Sequence, residues 1–178
     1  MVDDRIRLIK GDITTLGTEA IVNAANKMLM GGGGVDGAIH KAAGPKLSEE
    51  CQRVISKIGE CRTGEAVITS GGNLDSKYVI HTVGPVWNGG ESGEGRKLAQ
   101  CYKNSLSLAE DFGIREVAFP NISTGIYGFP KKEAADIAVK TVSKYLKNST
   151  MLKKVVFVCY DEENFELYNK LVNDPDFD

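Results

Sequence analysis

This chain lacks long apolar runs, clustered positive charge and paired cysteines, and each absence removes a class of function. No stretch approaches the ~20 apolar residues of a membrane span, and Met1-Val-Asp-Asp-Arg is not the basic-then-apolar opening of a secretory signal. Lysine and arginine total 22 against 24 acidic residues, a net charge of −2 with no basic cluster, so nothing here suits a nucleic-acid groove built on phosphate contacts. The four cysteines, Cys51, Cys61, Cys101 and Cys159, form no C-x-x-C pair, and the only histidines are His40 and His81. Together they have no metal-ligand spacing. No Gly-Lys-Ser/Thr follows the glycines, which excludes a P-loop, and Ser123 is not in the G-x-S-x-G elbow of a serine hydrolase. The expectation is a reduced, cytoplasmic protein that uses no metal and no cofactor and has no membrane partner. In that setting the Asn-x-Ser/Thr sequons at Asn121 and Asn148 carry no meaning.

Glycine, by contrast, is plentiful, with 20 in 178 residues, and residues 31–40 read Gly-Gly-Gly-Gly-Val-Asp-Gly-Ala-Ile-His. Four adjacent glycines cost too much chain entropy for an ordinary turn. They present bare N–H groups that a ligand can approach closely. Val35–Ala43 reads as a buried helix whose N-terminus would face whatever the loop holds, a favourable place for an anion. Asp36 would repel phosphate there, so it is assigned a separate, chemical role. Gly32, Gly34 and Gly37 match G-x-G-x-x-G, but seven residues, Ala24–Met30, separate them from the preceding strand. A dinucleotide fingerprint should follow its strand by a tight turn, which argues against that reading.

Short apolar runs alternate with helical patterns along the whole chain. Strands are expected at Ile6–Lys10, Ala20–Asn23, Ala66–Thr69, Tyr78–Val83, Val117–Ile122 and Val155–Tyr160. Helical stripes follow Pro45 (Leu47, Cys51, Val54, Ile55, Ile58), run from Leu98 to Phe112 and from Ala134 to Leu146, and close the chain with Phe165, Tyr168, Leu171 and Val172. Near-continuous apolar strands separated by helices indicate a sheet covered on both faces. With no repeat, linker or low-complexity tract, residues 1–178 read as one three-layer α/β/α domain. Ligands of such folds bind beyond the carboxyl ends of the strands, where Gly11–Thr14, Asn23–Gly37, Asn121–Pro130 and the region from Tyr160 would converge.

Individually these segments are ambiguous. Asn23 and Asn26 suit a turn as well as a grip on sugar hydroxyls. Ser123–Gly128 suits a turn or a phosphate. His81, within an apolar strand pattern, reads as a packed core residue rather than a base, and Cys159 as a buried, inert thiol. His40 stays open.

Taken in order, Gly11-Asp12-Ile13-Thr14, Ile21-Val22-Asn23-Ala24-Ala25-Asn26, Gly31–His40 and Ser123-Thr124-Gly125-Ile126-Tyr127-Gly128-Phe129-Pro130 resemble the macrodomain family. The likeness is to the MacroD-type branch that hydrolyses ADP-ribosyl esters. Val-Cys-Tyr-Asp-Glu-Glu-Asn at 158–164 is similar to the bacterial O-acetyl-ADP-ribose deacetylases of that branch. The resemblance implies a mixed, mostly parallel sheet of about six strands and a cleft for ADP-ribose. It implies that Asp12 and the Ile13 N–H meet the adenine, with Tyr160 against its face. Ser123, Thr124, Gly125, Ile126 and Tyr127 would wrap the diphosphate from one side, and Gly33, Gly34 and Val35 from the other. Asn23 and Asn26 would orient the distal ribose, Tyr127 would shape its pocket, and Asp36 would position or deprotonate a water or a ribose hydroxyl. The implied partners are ADP-ribose, its O-acyl esters and mono-ADP-ribosylated proteins. The resemblance also covers modules that only bind ADP-ribose, and Asp36 together with Asn26 is what favours hydrolysis.

Overall fold

The computed structural model describes residues 1–177. Six strands, β1 (Ile6–Lys10), β2 (Ala20–Ala24), β3 (Ala66–Ser70), β4 (Tyr78–Thr82), β5 (Glu116–Phe119) and β6 (Lys154–Cys159), form one sheet in the order β1-β6-β5-β2-β4-β3. Every neighbouring pair is parallel except β3 with β4, which is antiparallel. Five helices, α1 (Gly34–Ala43), α2 (Pro45–Ile58), α3 (Glu94–Asp111), α4 (Lys131–Lys147) and α5 (Glu162–Val172), cover it. This is the expected mixed, mostly parallel sheet. Strand ends differ by a few residues from the sequence expectation. β5 stops at Phe119 rather than Ile122 because Pro120 has no N–H for the ladder, and the chain leaves the sheet there.

The two faces of the sheet follow from the period of two in its strands. Ala20 and Val22 of β2 point into one core with Phe119, Phe157 and the apolar stripes of α3, α4 and α5. Ile21 points the other way, into a second core with Val79, Ala118 and Val158 under α1 and α2. Pro45 at the start of α2 follows Gly44, whose φ of +81° turns the chain sharply between the two helices. Gly59, at φ +85°, ends α2 as expected.

The amino terminus is tied down by Arg5. Its guanidinium pairs with the Asp3 carboxylate at 2.8 Å and donates to the carbonyls of Ser149 (2.8 Å) and Leu152 (3.1 Å), and also to that of Leu146. It therefore closes the carboxyl end of α4 and the start of β1 in one contact.

Because β1, β2, β5 and β6 are parallel, their carboxyl ends lie along a single edge. The segments after them are thereby brought together, although more than a hundred residues separate the first from the last.

Candidate active site

A cavity of about 580 Å³ opens at this edge, lined by Asp12, Ile13, Gly34, Val35, Thr124, Gly125 and Tyr160 among others. Residues from all four predicted segments thus meet in one place. Asp12 is exposed and caps a short 3-10 turn, Ile13–Thr15. Its Oδ1 accepts from the Thr14 N–H at 2.9 Å and the Thr14 hydroxyl at 2.7 Å. Tyr160 is 81% exposed at the rim of the cavity.

Two main-chain loops oppose each other across the cavity. In the first, α1 starts at Gly34 with Gly33 as its N-cap and no side-chain cap, and the first helical bond runs from Gly37 N to Gly33 O at 3.2 Å. The N–H groups of Gly34, Val35 and Asp36 therefore have no intrahelical acceptor, as at any helix start. Gly37 is needed for space, since a Cβ there would lie 2.3 Å from the Gly32 carbonyl oxygen, whereas Gly31 and Gly34 are favoured by their backbone, at φ +80° and +58°.

In the second loop, Ser123 has a φ of +67°, a conformation few non-glycine residues adopt. The loop is closed by Phe129 N to Ser123 O at 2.9 Å and Gly128 N to Gly125 O at 3.0 Å. Between these bonds, the N–H groups of Thr124, Gly125, Ile126 and Tyr127 meet no protein acceptor among the described residues. Such a row of fixed N–H dipoles is an anion-binding concavity. It explains how phosphate could be held with no arginine cluster. Ile126 projects wholly into solvent.

The sequence reading missed Gly84, which makes the second loop possible. A Cβ there would sit 2.2 Å from Ser123 Oγ and 2.7 Å from Ile122 Cγ2. The Gly84-Pro85 pair is a turn signal, but nothing local says that another loop packs on it.

Asp36 lies in the first turn of α1 and is only 6% exposed. Burial raises its carboxyl above the usual carboxylate range; donation from Asn23 and the nearby His40 ring partly offset this. Oδ1 accepts from Asn23 Nδ2 at 2.8 Å and lies 3.4 Å from His40 Nε2, while Oδ2 faces the glycine loop beside Gly32. Asn23 is fully buried, so it stands behind Asp36 rather than on the cavity surface, and its Nδ2 also meets His81 Nδ1 at 3.1 Å. Asn26 clamps its own loop. Its Nδ2 donates to the Gly31 carbonyl at 3.0 Å and its Oδ1 accepts from the Met30 N–H at 3.1 Å. It thus sets the path by which the chain enters the glycines.

Beyond Asn26 and Tyr127 lies a second, more open groove of about 640 Å³ with Met28, Met30, Val83, Pro85 and Val86 on its walls. Tyr127 is fixed at its border by its carbonyl, which accepts from the Trp87 N–H at 2.9 Å. The loop before α3 is held by Glu94, whose carboxylate accepts from the N–H groups of Asn88, Gly90 and Ser92 and titrates at about 2 as a result. Cys159 is a buried thiol pushed up to about 11, the inert state expected of it. Among the described residues no group of three or more His, Cys, Asp or Glu side chains is arranged to hold a metal ion, and no helix is long and apolar enough to cross a membrane.

A family model described as Macro domain matches residues 22–138, the span that contains the glycine loop, Asp36 and the second loop. The chain belongs to the macrodomain family. A Macro domain-containing protein of Listeria monocytogenes is 58% identical over 170 residues, 94% of this chain and 97% of that one. An O-acetyl-ADP-ribose deacetylase of Escherichia fergusonii is 58% identical over 168 residues, 94% of this chain and 95% of that one. Among solved structures, the Oceanobacillus iheyensis macrodomain in a glycine-to-valine mutant form with ADPR superposes with a TM-score of 0.91 at 42% identity, covering 96% of this chain and 95% of that one. The same macrodomain has been solved with an asparagine and with an aspartate replaced by alanine. The replaced asparagine, glycine and aspartate are spaced seven and then three residues apart, as are Asn26, Gly33 and Asp36.

Proposed function

We propose that this macrodomain binds ADP-ribose in the cavity at the sheet edge and hydrolyses ADP-ribosyl esters there, both O-acetyl-ADP-ribose and mono-ADP-ribose carried on acidic side chains of proteins. One observation carries the reading. A buried carboxylate with a raised pKa stands in the first turn of a helix whose free N–H groups line the same cavity as a second loop of unpaired main-chain N–H groups. A helix start and an N–H row attract an anion, whereas a carboxylate there works against one. An acidic residue in a first turn is favourable by itself, but one that is buried with a raised pKa is suited to act as a base on a ligand held there. The relatives named O-acetyl-ADP-ribose deacetylase, and the spacing shared with the mutated macrodomain, support the same assignment.

The chemistry then follows from the positions. The diphosphate is held between the N–H groups of Gly33, Gly34 and Val35 and those of Ser123–Tyr127. Asp12 accepts from the adenine amino group, beside the Ile13 N–H, and Tyr160 packs on the ring. A carboxylate can only accept, so it selects an amine over a carbonyl. With both ends fixed, the distal ribose lies between Asn26 and Tyr127 with its ester near Asp36. Asn26 holds the glycine loop around that ribose, and Asn23 acts on it through Asp36. Asp36 Oδ2 takes a proton from a water, or from a ribose hydroxyl that relays it. The oxygen so activated adds to the ester carbonyl, and the departing ribose oxygen recovers the proton. ADP-ribose and a carboxylic acid are the products. An ester is reactive enough for an oriented water and one general base.

The acyl side of the ester, whether acetyl or a protein side chain, extends into the groove beyond Asn26 and Tyr127. The deciding experiment is turnover of O-acetyl-ADP-ribose and of protein mono-ADP-ribosylated on Asp or Glu, with ADP-ribose affinity measured alongside. ADP-ribose binding without release of acetate or of protein-bound ADP-ribose would make the domain a reader and overturn the hydrolytic assignment.

A further inference from the structure

A buried polar chain runs beneath Asp36 and across three neighbouring strands, in a core that is otherwise apolar. Thr69 of β3, His81 of β4 and Asn23 of β2 share the face of the sheet under α1 and α2, and Asn23 and His81 are register partners. Each is 6% exposed or less. Thr69 Oγ1 donates to the Ser70 carbonyl at 3.0 Å, so it can only accept from His81 Nε2, 2.9 Å away. The His81 proton therefore sits on Nε2, and the bare Nδ1 accepts from Asn23 Nδ2 at 3.1 Å. The second hydrogen of the same amide goes to Asp36 Oδ1 at 2.8 Å. Asn23 Oδ1 has no partner. Turned over, the amide would set that oxygen against both the imidazole lone pair and the carboxylate. Two acceptors thus hold it in one orientation.

We propose that His81 is a positioning residue: as a neutral Nε2–H imidazole it locks the Asn23 amide so that it donates permanently to Asp36 Oδ1 and leaves Oδ2 as the single basic oxygen facing the glycine loop. The inference rests on the hydrolytic role of Asp36 given above. Burial suits this role, since it keeps the ring neutral with a pKa of about 3, far below any pH at which the chain would reverse. The charged and titratable groups facing Asp36 and the ring are few. They are His40 on α1, at 3.4 Å from Asp36 Oδ1, and Cys51 on α2, at 3.9 Å from His81 Nε2 and pushed up to about 11. Glu50 on α2 is spent on the Ser70 hydroxyl. A histidine retained only for packing would not need this direction of hydrogen bonds.

The test compares His81→Leu with His81→Asn. The two replacements are of similar shape and both abandon Thr69, but only asparagine keeps an acceptor, its Oδ1, close to the place of Nδ1. With O-acetyl-ADP-ribose as substrate, His81→Leu should move the acid limb of kcat up by about one pH unit, the effect of losing one hydrogen bond to a charged group, and lower kcat roughly tenfold below that limb. ADP-ribose affinity should stay at the wild-type value. His81→Asn should keep the wild-type limb although it loses similar thermal stability. Equal limbs in the two variants, with the wild type active, would overturn the positioning role. An inactive wild type would overturn the hydrolytic reading instead. A measurement on the unaltered protein covers the case in which the leucine variant does not fold. The 15N shifts of His81 should report a protonated Nε2 and a bare Nδ1 from pH 5 to 8. An Nδ1–H tautomer or a titrating ring would refute the proposal.

Discussion

Replacing Gly37 by alanine isolates what the glycine loop does, because the effects on the fold and on the site have opposite signs. Gly37 lies within α1, where alanine is favoured over glycine by about 1 kcal/mol. Yet its Cβ would stand 2.3 Å from the Gly32 carbonyl oxygen, a main-chain atom with no rotamer to move. Contacts below 3.0 Å are essentially never found, so the loop must retreat by at least about 0.7 Å. A hydrogen bond near 2.9 Å stretched by that amount passes the limit at which it still counts as one. Loss of one N–H bond to a charged phosphate is about 1.5–3 kcal/mol, a roughly ten- to hundredfold weaker Kd. Calorimetry with ADP-ribose, beside a thermal melt, gives both numbers. The expected outcome is weakened binding with a Tm close to that of the wild type. A folded Gly37→Ala protein that binds ADP-ribose with the wild-type Kd would refute the assignment of this loop to the diphosphate.

The remaining predictions concern the other parts of the site and the fold. Asp36→Ala should leave ADP-ribose binding intact or slightly tighter and cut ester hydrolysis by roughly 10²–10⁴-fold; a wild-type rate would remove Asp36 from the mechanism. Because burial raises the Asp36 pKa, its basic form disappears as pH falls. The rate of the wild type should therefore drop on an acid limb above the ordinary carboxylate value of about 3.9, and a pH profile without that limb would contradict the base. Asp12→Ala should weaken ADP-ribose by about 1–3 kcal/mol in titration calorimetry; no change would leave Asp12 as the cap of a turn only. Arg5→Ala frees three carbonyls and the Asp3 carboxylate and should destabilise the fold by about 2 kcal/mol. Asp3 is held below its usual pKa of 3.8, chiefly by the hydrogen bond from Arg5, so its contribution is complete above that value and lost as pH falls through the folded pKa. The stability gap between wild type and variant should narrow at low pH by the Asp3 share only, because the guanidinium still donates to the three carbonyls.

What could be read along the chain was whatever depends on near neighbours. Ile6–Lys10 appears as a strand with those bounds, and Pro45 and Gly59 bracket α2 as expected, because strand period, proline at a helix start and glycine at its end are local effects. The gathering of Asp12, the glycine loop, Ser123–Tyr127 and Tyr160 at one edge was also legible. Parallel strands separated by helices leave their carboxyl ends on one side, and the cavity joins residues of these segments. The unusual glycine run at Gly31–Gly34 was visible from composition alone.

Tertiary structure decided the rest, wherever a residue's role depends on an atom far from it in sequence. Gly84 is required by Ser123, thirty-nine positions away, and no turn rule predicts that contact. Asn23 suited a turn or a grip on sugar hydroxyls in the sequence; it is fully buried and donates to Asp36 Oδ1. His81 was read as a packed core residue, and it is buried, but the pairing of β4 with β2 and β3 puts an acceptor on one side of its ring and a donor on the other. Sequence period says which face of a strand a side chain occupies. Only the register of strands from distant parts of the chain determines which polar groups meet on that face, and so which oxygen of Asp36 is left free.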